Sequence, residues 1–168
     1  LVGSEMCIRD RATLSGRTGA GKSTVFKLVL GLYAPRRGTV RIQGVDPRSL
    51  TGPQRRALYG YVEQTFHRVP GTVKDQITLY DDSFTMEEVR EAARIAGLDA
   101  TIEQLEKGYD TICTSEIFSQ GQWQLLSIAR AAVAKPKLLL LDEITANLDA
   151  QTEEEVLQAL KRASEGRT

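Results

Sequence analysis

Apolar and polar residues alternate along parts of this chain with the spacing of β-strands. Four segments have this spacing or form a short continuous apolar run, namely ATLS (12–15), TVRIQG (39–44), LYGYVEQ (58–64) and KLLLLD (137–142). The first is only a stub. The last is too short for a free helix and follows Pro136, so it predicts a central strand of a parallel sheet.

Other parts of the chain have apolar residues at helical spacing. The predicted helices cover residues 22–32, 84–107, 121–134 and 153–163. In the second of them Thr85 is a candidate N-cap and Gly97 a candidate stop. Its apolar stripe consists of Val89, Ala92, Ala93 and Ala96. Strands that alternate with helices predict an α/β protein, here a parallel sheet that carries a small helical lobe.

Composition and charge are those of an ordinary globular domain. The chain has 168 residues, 41% of them hydrophobic, and its 22 basic and 22 acidic side chains give no net charge. A neutral chain argues against a large nucleic-acid surface, so no nucleic-acid partner is expected. Cys7 and Cys113 show neither metal-ligand spacing nor a disulfide framework. No apolar run approaches the ~20 residues of a membrane span.

The N-terminal segment has neither the basic start nor the apolar middle of a signal peptide. Its stretch EMCIRDR, residues 5–11, is similar to the translation of a transposon-type sequencing adaptor. We therefore interpret residues 1–11 as a non-native segment and expect authentic sequence from about Ala12. The alternative is an ordinary exposed N-terminal segment.

The stretch GRTGAGKST, residues 16–24, fits the pattern G-x-x-x-x-G-K-[ST] between a strand stub and a helix. Its glycines allow successive backbone N–H groups to point at one anion, and the following helix adds the positive end of its dipole. Lys22 can reach the β- and γ-phosphates, and the Ser23 hydroxyl can bind Mg²⁺. The alternative is a glycine-rich turn that precedes a lysine by chance. The predicted nucleotide site consists of Gly16, Arg17, Thr18, Gly19, Ala20, Gly21, Lys22, Ser23 and Thr24.

Two carboxylates stand at the end of the continuous apolar run that begins at residue 137. Asp142 and Glu143 stand at the carboxyl end of KLLLLDE, the edge at which parallel sheets bind ligands. Asp142 can hold the Mg²⁺ shell there. Glu143 can orient and deprotonate an attacking water. The alternative is that one of the two caps the next helix.

These stretches occur in an informative order. GRTGAGKST is followed by YVEQ, which ends at Gln64, then by FSQGQ (118–122), LLLLDE and TANLD, which ends at Asp149. On these residues the chain resembles the nucleotide-binding domain of an ATP-binding cassette (ABC) transporter, from about Ala12 to Thr168. The resemblance implies a phosphate-loop, RecA-like parallel-sheet core of the ABC ATPase type with a helical subdomain. It also implies ATP and Mg²⁺ as cofactors.

FSQGQ corresponds to the family's signature, usually written LSGGQ, at the start of a helix. The resemblance implies that two such domains face head-to-tail, and that each signature closes over the ATP held by the other's phosphate loop. Ser119 then offers its hydroxyl to the partner's γ-phosphate, Gly121 allows close backbone approach, and Gln122 supports the loop. The alternative is a plain surface helix, for which Ser119 alone suffices as a cap.

The resemblance assigns roles to further residues. Gln64 resembles the glutamine that touches Mg²⁺ and the attacking water, so Glu143 and Gln64 are the implied catalytic residues. The implied metal ligands are Ser23, Gln64 and Asp142. Asp149 is implied to lie in the loop at the dimer interface.

The chain also departs from the family pattern. Gln120 stands where the family usually has glycine, which implies a slower or purely structural site at that signature. The aromatic that stacks on adenine and the switch histidine are missing, and His67, the only histidine, stands in a polar loop and is expected to be exposed. We therefore interpret the chain as a fragment cut at both ends, with a core lobe at about 12–64 and 135–168 and a helical lobe at about 65–134. Alone it is expected to have little activity.

The implied function is ATP binding and hydrolysis that drives an ABC exporter at the cytoplasmic face of the plasma or inner membrane. The implied partners are a second nucleotide-binding domain, identical or different, and a transmembrane domain that contacts VPGTVKDQITLYD (69–81). One alternative is a soluble ABC ATPase, although repair members carry long coiled-coil inserts that do not fit in this chain. The other is a phosphate-loop small-molecule kinase, which would need a substrate lid and an acceptor site.

Overall fold

The structure is a computed structural model that describes residues 14, 17, 21–63, 65–142, 144 and 148–165. The predicted non-native residues 1–11 lie outside the described residues, as does the strand stub at 12–15 apart from Leu14. In chain order the elements are α1 (Lys22–Val29), α2 (Gly52–Leu58), β1 (Tyr59–Val62), α3 (Val73–Thr78), α4 (Met86–Ala96), α5 (Asp99–Glu103), α6 (Gln120–Ala132), β2 (Leu138–Leu141) and α7 (Ala150–Ser164).

The two strands lie side by side and parallel. Tyr59 stands opposite Leu138, and Val62 stands opposite Leu141. This confirms both strand predictions and the parallel pairing inferred from the apolar run. A parallel pair needs a long crossover, which here consists of the chain from α3 to α6. Both strands end at the same edge of the sheet, so the residues that follow them lie close together.

Each face of the sheet packs against helices. Tyr59 and Leu140 belong to a small apolar cluster with Leu30, Phe26 and the other residues of the α1 side. Val62, which points to the opposite face, belongs to the larger cluster that α3, α4, α6 and α7 form. Because side chains alternate along a strand, one face of the sheet packs on the α1 side and the other on the cluster of α3, α4, α6 and α7. The α/β class predicted from the alternating pattern is confirmed.

The strand predicted at 39–44 is wrong. The chain reverses there in a tight turn, in which the N–H and C=O groups of Ile42 and Val45 bond to each other at 2.9 and 3.0 Å. Gln43 and Gly44 between them have φ values of 50° and 82°. The turn therefore begins at Ile42, inside the predicted strand. The alternating residues before it are too few to pair with another strand.

Helix ends follow the capping rules more closely than the apolar spacing. Thr85 caps α4, with its hydroxyl accepting from the Glu88 N–H while the Glu88 carboxylate accepts from the Thr85 N–H. Gly97 ends that helix in the left-handed conformation, at φ 79°. The predicted helix at 84–107 is thus broken at Gly97, and α5 is a separate short helix. α1 likewise ends at Val29, three residues before the predicted end.

The apolar stripes identify the core correctly. All four stripe residues of α4 are buried, and α6 is buried along most of its length from Gly121 to Ala132. α4 packs against both α6 and α7. The division into a core lobe and a helical lobe stays a prediction. Among the described residues, no helix has the length and apolar character needed to cross a membrane.

Candidate functional site

The start of α1 is the described part of the predicted phosphate loop. Gly21 precedes the helix in the left-handed conformation, at φ 91°, and no side chain among the described residues caps the helix. The first N–H groups of a helix have no partner within it, and the helix dipole adds positive potential at that end. The arrangement therefore fits an anion. Gly16, Thr18, Gly19 and Ala20 lie outside the described residues.

The side chains of this first turn carry a cation and two hydroxyls. Lys22 is half-buried, whereas Ser23 and Thr24 are exposed, as is Arg17 upstream of the helix. A lysine can contact phosphate oxygens as a point charge, and a hydroxyl oxygen is a ligand of the type that Mg²⁺ accepts. The side chains at the start of α1 thus suit a metal–phosphate ligand.

Asp142 lies at the carboxyl end of β2. Its backbone N–H donates to the Val62 carbonyl at 3.1 Å, which extends the pairing of the strands by one residue. The Tyr61 hydroxyl donates to its Oδ2 at 3.3 Å. The next helix that the structure describes, α7, is capped instead by Asp149, whose carboxylate accepts from the N–H and the hydroxyl of Thr152. The interpretation of Asp142 as a helix cap is therefore wrong. Glu143 lies outside the described residues.

Tyr61 is a site residue that sequence reasoning missed. Its ring packs on Phe26 of α1, with ring centroids 6.3 Å apart. Burial, together with the nearby charges of Asp142 and Glu63, raises the pKa of Tyr61 to about 12. The phenol is therefore protonated at neutral pH and acts as the donor to Asp142. The only sequence signal was the position of Tyr61 near the end of a predicted strand.

The start of α6 contains the predicted signature residues. Ser119 caps the helix: its Oγ accepts from the Gln122 N–H at 3.2 Å, and its N–H donates to Gln122 Oε1 at 2.9 Å. The cap uses a lone pair of the Ser119 hydroxyl, and its proton can still be donated. Both Ser119 and the adjacent Gln120 are exposed. The predicted contact with a partner's ATP is compatible with this geometry and stays a prediction.

Gly121 has a reason within the chain to lack a side chain. It is buried, and a Cβ atom there would lie 2.2 Å from the Cγ2 methyl of Thr152. Thr152 in turn donates to Asp149, with its hydroxyl 2.6 Å from Asp149 Oδ2. The structure therefore brings the predicted signature and the predicted interface residue Asp149 together through one threonine.

The family described as ABC transporter matches residues 8–146, more than half of the chain. The chain belongs to the ABC transporter family. The family match and the α/β fold both agree with the resemblance inferred from the motifs.

The matches to individual ABC proteins extend over nearly all of the chain. It is 44% identical over 155 residues to the "Uncharacterized ABC transporter ATP-binding protein YfiC" of Bacillus subtilis (strain 168), a match covering 91% of the chain and 26% of that protein. It is 43% identical over 156 residues to the "ABC multidrug transporter MDR2" of Trichophyton tonsurans, covering 90% of the chain and 11% of that protein. A solved bacterial Atm1-family ABC exporter with ATP bound is similar at a TM-score of 0.75 and 34% identity, covering 90% of the chain and 27% of the exporter. The chain thus spans about a quarter or less of the length of these relatives.

The described residues of this ABC domain fit ATP and Mg²⁺. The N-terminus of α1 carries no side-chain cap from the described residues, so its N–H groups can meet an anion. Ser23 and Asp142 supply oxygen ligands of the kind that Mg²⁺ prefers. Gln64, the third predicted ligand, lies outside the described residues.

α6 of this ABC domain holds the chain on both sides of Gln64. The Gln124 side chain donates to the Glu63 carbonyl at 3.1 Å. The Trp123 ring stacks on Phe66, with centroids 5.3 Å apart. Next to this contact lies a cavity of about 390 Å³, whose lining includes Gln120 and Leu148. The spacing of the motifs did not reveal that the signature helix contacts this segment.

Arg130 is a further α6 residue that sequence reasoning missed. Its Nε donates to the Gln76 carbonyl at 2.6 Å, and its Nη1 donates to the His67 carbonyl at 2.9 Å. The guanidinium lies 4.1 Å from the centroid of the Phe66 ring. Burial lowers the pKa of Arg130 to about 10, so the group stays a cation at neutral pH. The His67 side chain itself is 77% exposed, as predicted.

Proposed function

We propose that this domain binds and hydrolyses ATP, and that the hydrolysis drives an exporter through head-to-tail dimerisation of two nucleotide-binding domains. The observation that carries the proposal is the start of α1, where Gly21 is left-handed, no described side chain caps the helix, and Lys22 and Ser23 follow at once. Such a helix start attracts a phosphate by the N–H groups of its first turn, which the helix itself does not bond, and by its dipole.

The chain's own residues divide the work at the nucleotide. Lys22 and the N–H groups of α1 bind the β- and γ-phosphates. Ser23, Gln64 and Asp142 would hold Mg²⁺, whose chemistry when bound is to neutralise charge on the phosphate oxygens. Glu143 orients the attacking water and accepts its proton.

The second half of each site comes from a partner domain. Ser119, with its hydroxyl proton still available beside the α6 cap, offers a hydrogen bond to the γ-phosphate held by the partner. Gly121 and Gln122 keep this turn in place. Asp149 is linked to the turn by Thr152, which lies next to Gly121 and donates a hydrogen bond to the Asp149 carboxylate. ATP between two such faces would join them, and its hydrolysis would let them part.

The coupling to transport lies in the segment after Gln64. Leu79 and Tyr80 there are exposed and left-handed, with φ values of 53° and 62°. Ile112, whose segment pairs with Thr72, is 61% exposed. Apolar side chains exposed on strained backbone suit contact with another protein. We take this surface as the contact for a transmembrane domain at the cytoplasmic face of the membrane.

The test is the affinity of the full-length protein for Mg²⁺-ATP after Lys22→Ala. The substitution removes charge-assisted hydrogen bonds to the phosphates, and we expect binding about 10- to 100-fold weaker by calorimetry. Lys27→Ala is the matched control, because Lys27 lies in the same helix and its ammonium is 5.6 Å from the Tyr33 ring centroid. The control should bind as the wild type does.

Two results would contradict the proposal. Wild-type affinity in Lys22→Ala would show that the phosphates are held elsewhere. Equal losses in Lys22→Ala and Lys27→Ala would attribute the effect to a weakened α1 instead of a lost phosphate contact.

A further inference from the structure

Tyr61 occupies a position between the phosphate helix and the predicted metal ligand. It stands opposite Leu140 in the parallel register, so the two side chains point to the same face of the sheet. Asp142 lies two residues beyond Leu140, and its N–H continues the pairing by donating to Val62. Tyr61 and Asp142 therefore share one face at the carboxyl edge.

That face is the one on which α1 packs. Phe26, one turn after Lys22 and Ser23, lies against the Tyr61 ring, with centroids 6.3 Å apart and planes at 52°. The ring is held by this apolar contact while its hydroxyl points to Asp142 Oδ2 at 3.3 Å. The distance is somewhat longer than the usual O–H···O range of about 2.5–3.0 Å.

We propose that Tyr61 is a positioning residue that orients the Asp142 carboxylate toward the Mg²⁺ of a bound nucleotide. The proposal rests on the proposed function. The phenol donates to Oδ2 and leaves Oδ1, which has no hydrogen-bond partner among the described residues, for the metal or one of its waters. A fixed neighbour of this kind sets the direction of a metal ligand and commonly affects metal affinity.

The charge on each group supports this role. A tyrosine hydroxyl is ordinarily protonated in the physiological range, so Tyr61 is a neutral donor to Asp142. A neutral donor orients the carboxylate without cancelling the charge that attracts Mg²⁺. An arginine or lysine in the same place would compete with the metal for that charge.

The experiment compares ATP binding to the full-length protein with Mg²⁺ and with EDTA, for wild type, Tyr61→Phe and Tyr59→Phe. Tyr61→Phe keeps the ring against Phe26 and removes only the donor. We expect the gain in affinity that Mg²⁺ brings to be about three- to tenfold smaller, with binding in EDTA unchanged. Tyr59→Phe is the matched control: it removes a hydroxyl from the same strand and face, one that donates to the Leu30 carbonyl at 2.9 Å, far from Asp142 in the register. It should leave the Mg²⁺ gain as in wild type.

A double-mutant cycle identifies the route of the effect. Asp142→Asn should remove most of the Mg²⁺ gain, and adding Tyr61→Phe to it should cost nothing more, because Tyr61 acts through Asp142. The proposal is overturned by an unchanged Mg²⁺ gain in Tyr61→Phe, by an equal loss in Tyr59→Phe, or by a further loss in the double variant. Failure of the wild type to bind ATP under either condition would instead overturn the proposed function.

Discussion

Gly121 and Thr152 show at the residue scale how one contact joins two predicted site segments. A Cβ at position 121 would lie 2.2 Å from the Thr152 methyl. The methyl cannot simply turn away, because the Thr152 hydroxyl and N–H are both bonded to the Asp149 carboxylate. The glycine is thus needed for packing whether or not a nucleotide approaches it.

This contact predicts the effect of Gly121→Ala. Forcing the methyl groups apart should lower the free energy of unfolding by about 1–3 kcal/mol in urea denaturation. Adding Thr152→Ser should restore much of that loss, since serine keeps the hydroxyl and lacks the Cγ2 methyl. Full stability in Gly121→Ala, or no recovery in the double variant, would show that the two residues do not compete for space.

Residue roles differ in how far the sequence reveals them. Lys22, Ser23 and Asp142 stand in local patterns whose chemistry follows from spacing alone. Tyr61 and Arg130 act on groups 81 and 54 residues away, so their partners depend on the strand register and on the packing of α6. No local pattern contains that information.

At the scale of elements, the cap of α7 responds to pH. The hydroxyl and N–H of Thr152 donate to the Asp149 carboxylate, and they lower its pKa below the usual value of 3.8. The folded protein therefore favours the ionised cap. Its contribution to stability is fully present above the unfolded pKa and is lost as the pH falls through the folded pKa.

Asp149→Asn tests this cap, because the single amide oxygen of asparagine can still accept from the Thr152 N–H but the side chain carries no charge. Wild type should be the more stable near neutral pH, and its advantage should shrink as the pH falls from about 5 to about 3. The difference between their urea midpoints, measured at several pH values, gives the result. An advantage that is constant over this range would assign the stabilisation to hydrogen bonding alone.

Elements were predicted best where periodicity and caps agreed. The apolar stripe and the start of α4 follow from Thr85 and the spacing of its alanines, whereas the predicted helix continued past the stop at Gly97 to residue 107. The prediction of a strand at 39–44 was wrong because alternation over six residues cannot show where a turn begins. Gln43 adopts a left-handed conformation, at φ 50°, which cannot be predicted from a glutamine.

At the scale of the whole molecule, α6 is the common support of the predicted site segments. Ser119 caps it and Gly121 lies in its first turn, its next side chains contact the chain around Gln64, and Arg130 near its end binds the His67 carbonyl. The α/β class could be predicted from the alternation of strands and helices, and the ABC family from the order of motifs. The central place of α6 could not, because it arises from contacts between distant segments.

The proposed dimer predicts the behaviour of Glu143→Gln. Glutamine has nearly the same shape but cannot accept the proton of water, so ATP should bind and remain uncleaved. The full-length variant should retain ATP and hold its two domains together, which nucleotide trapping and cross-linking can measure. Turnover at the wild-type rate would show that Glu143 is not the base.

The most direct test of the account is an experimental structure of the full-length protein with Mg²⁺-ATP. It should show the β- and γ-phosphates at the N-terminus of α1, in contact with Lys22, with the metal between Ser23 and Asp142. Ser119 of a second domain should face the γ-phosphate. A triphosphate bound elsewhere, or a Ser119 that no second domain brings to it, would contradict the account.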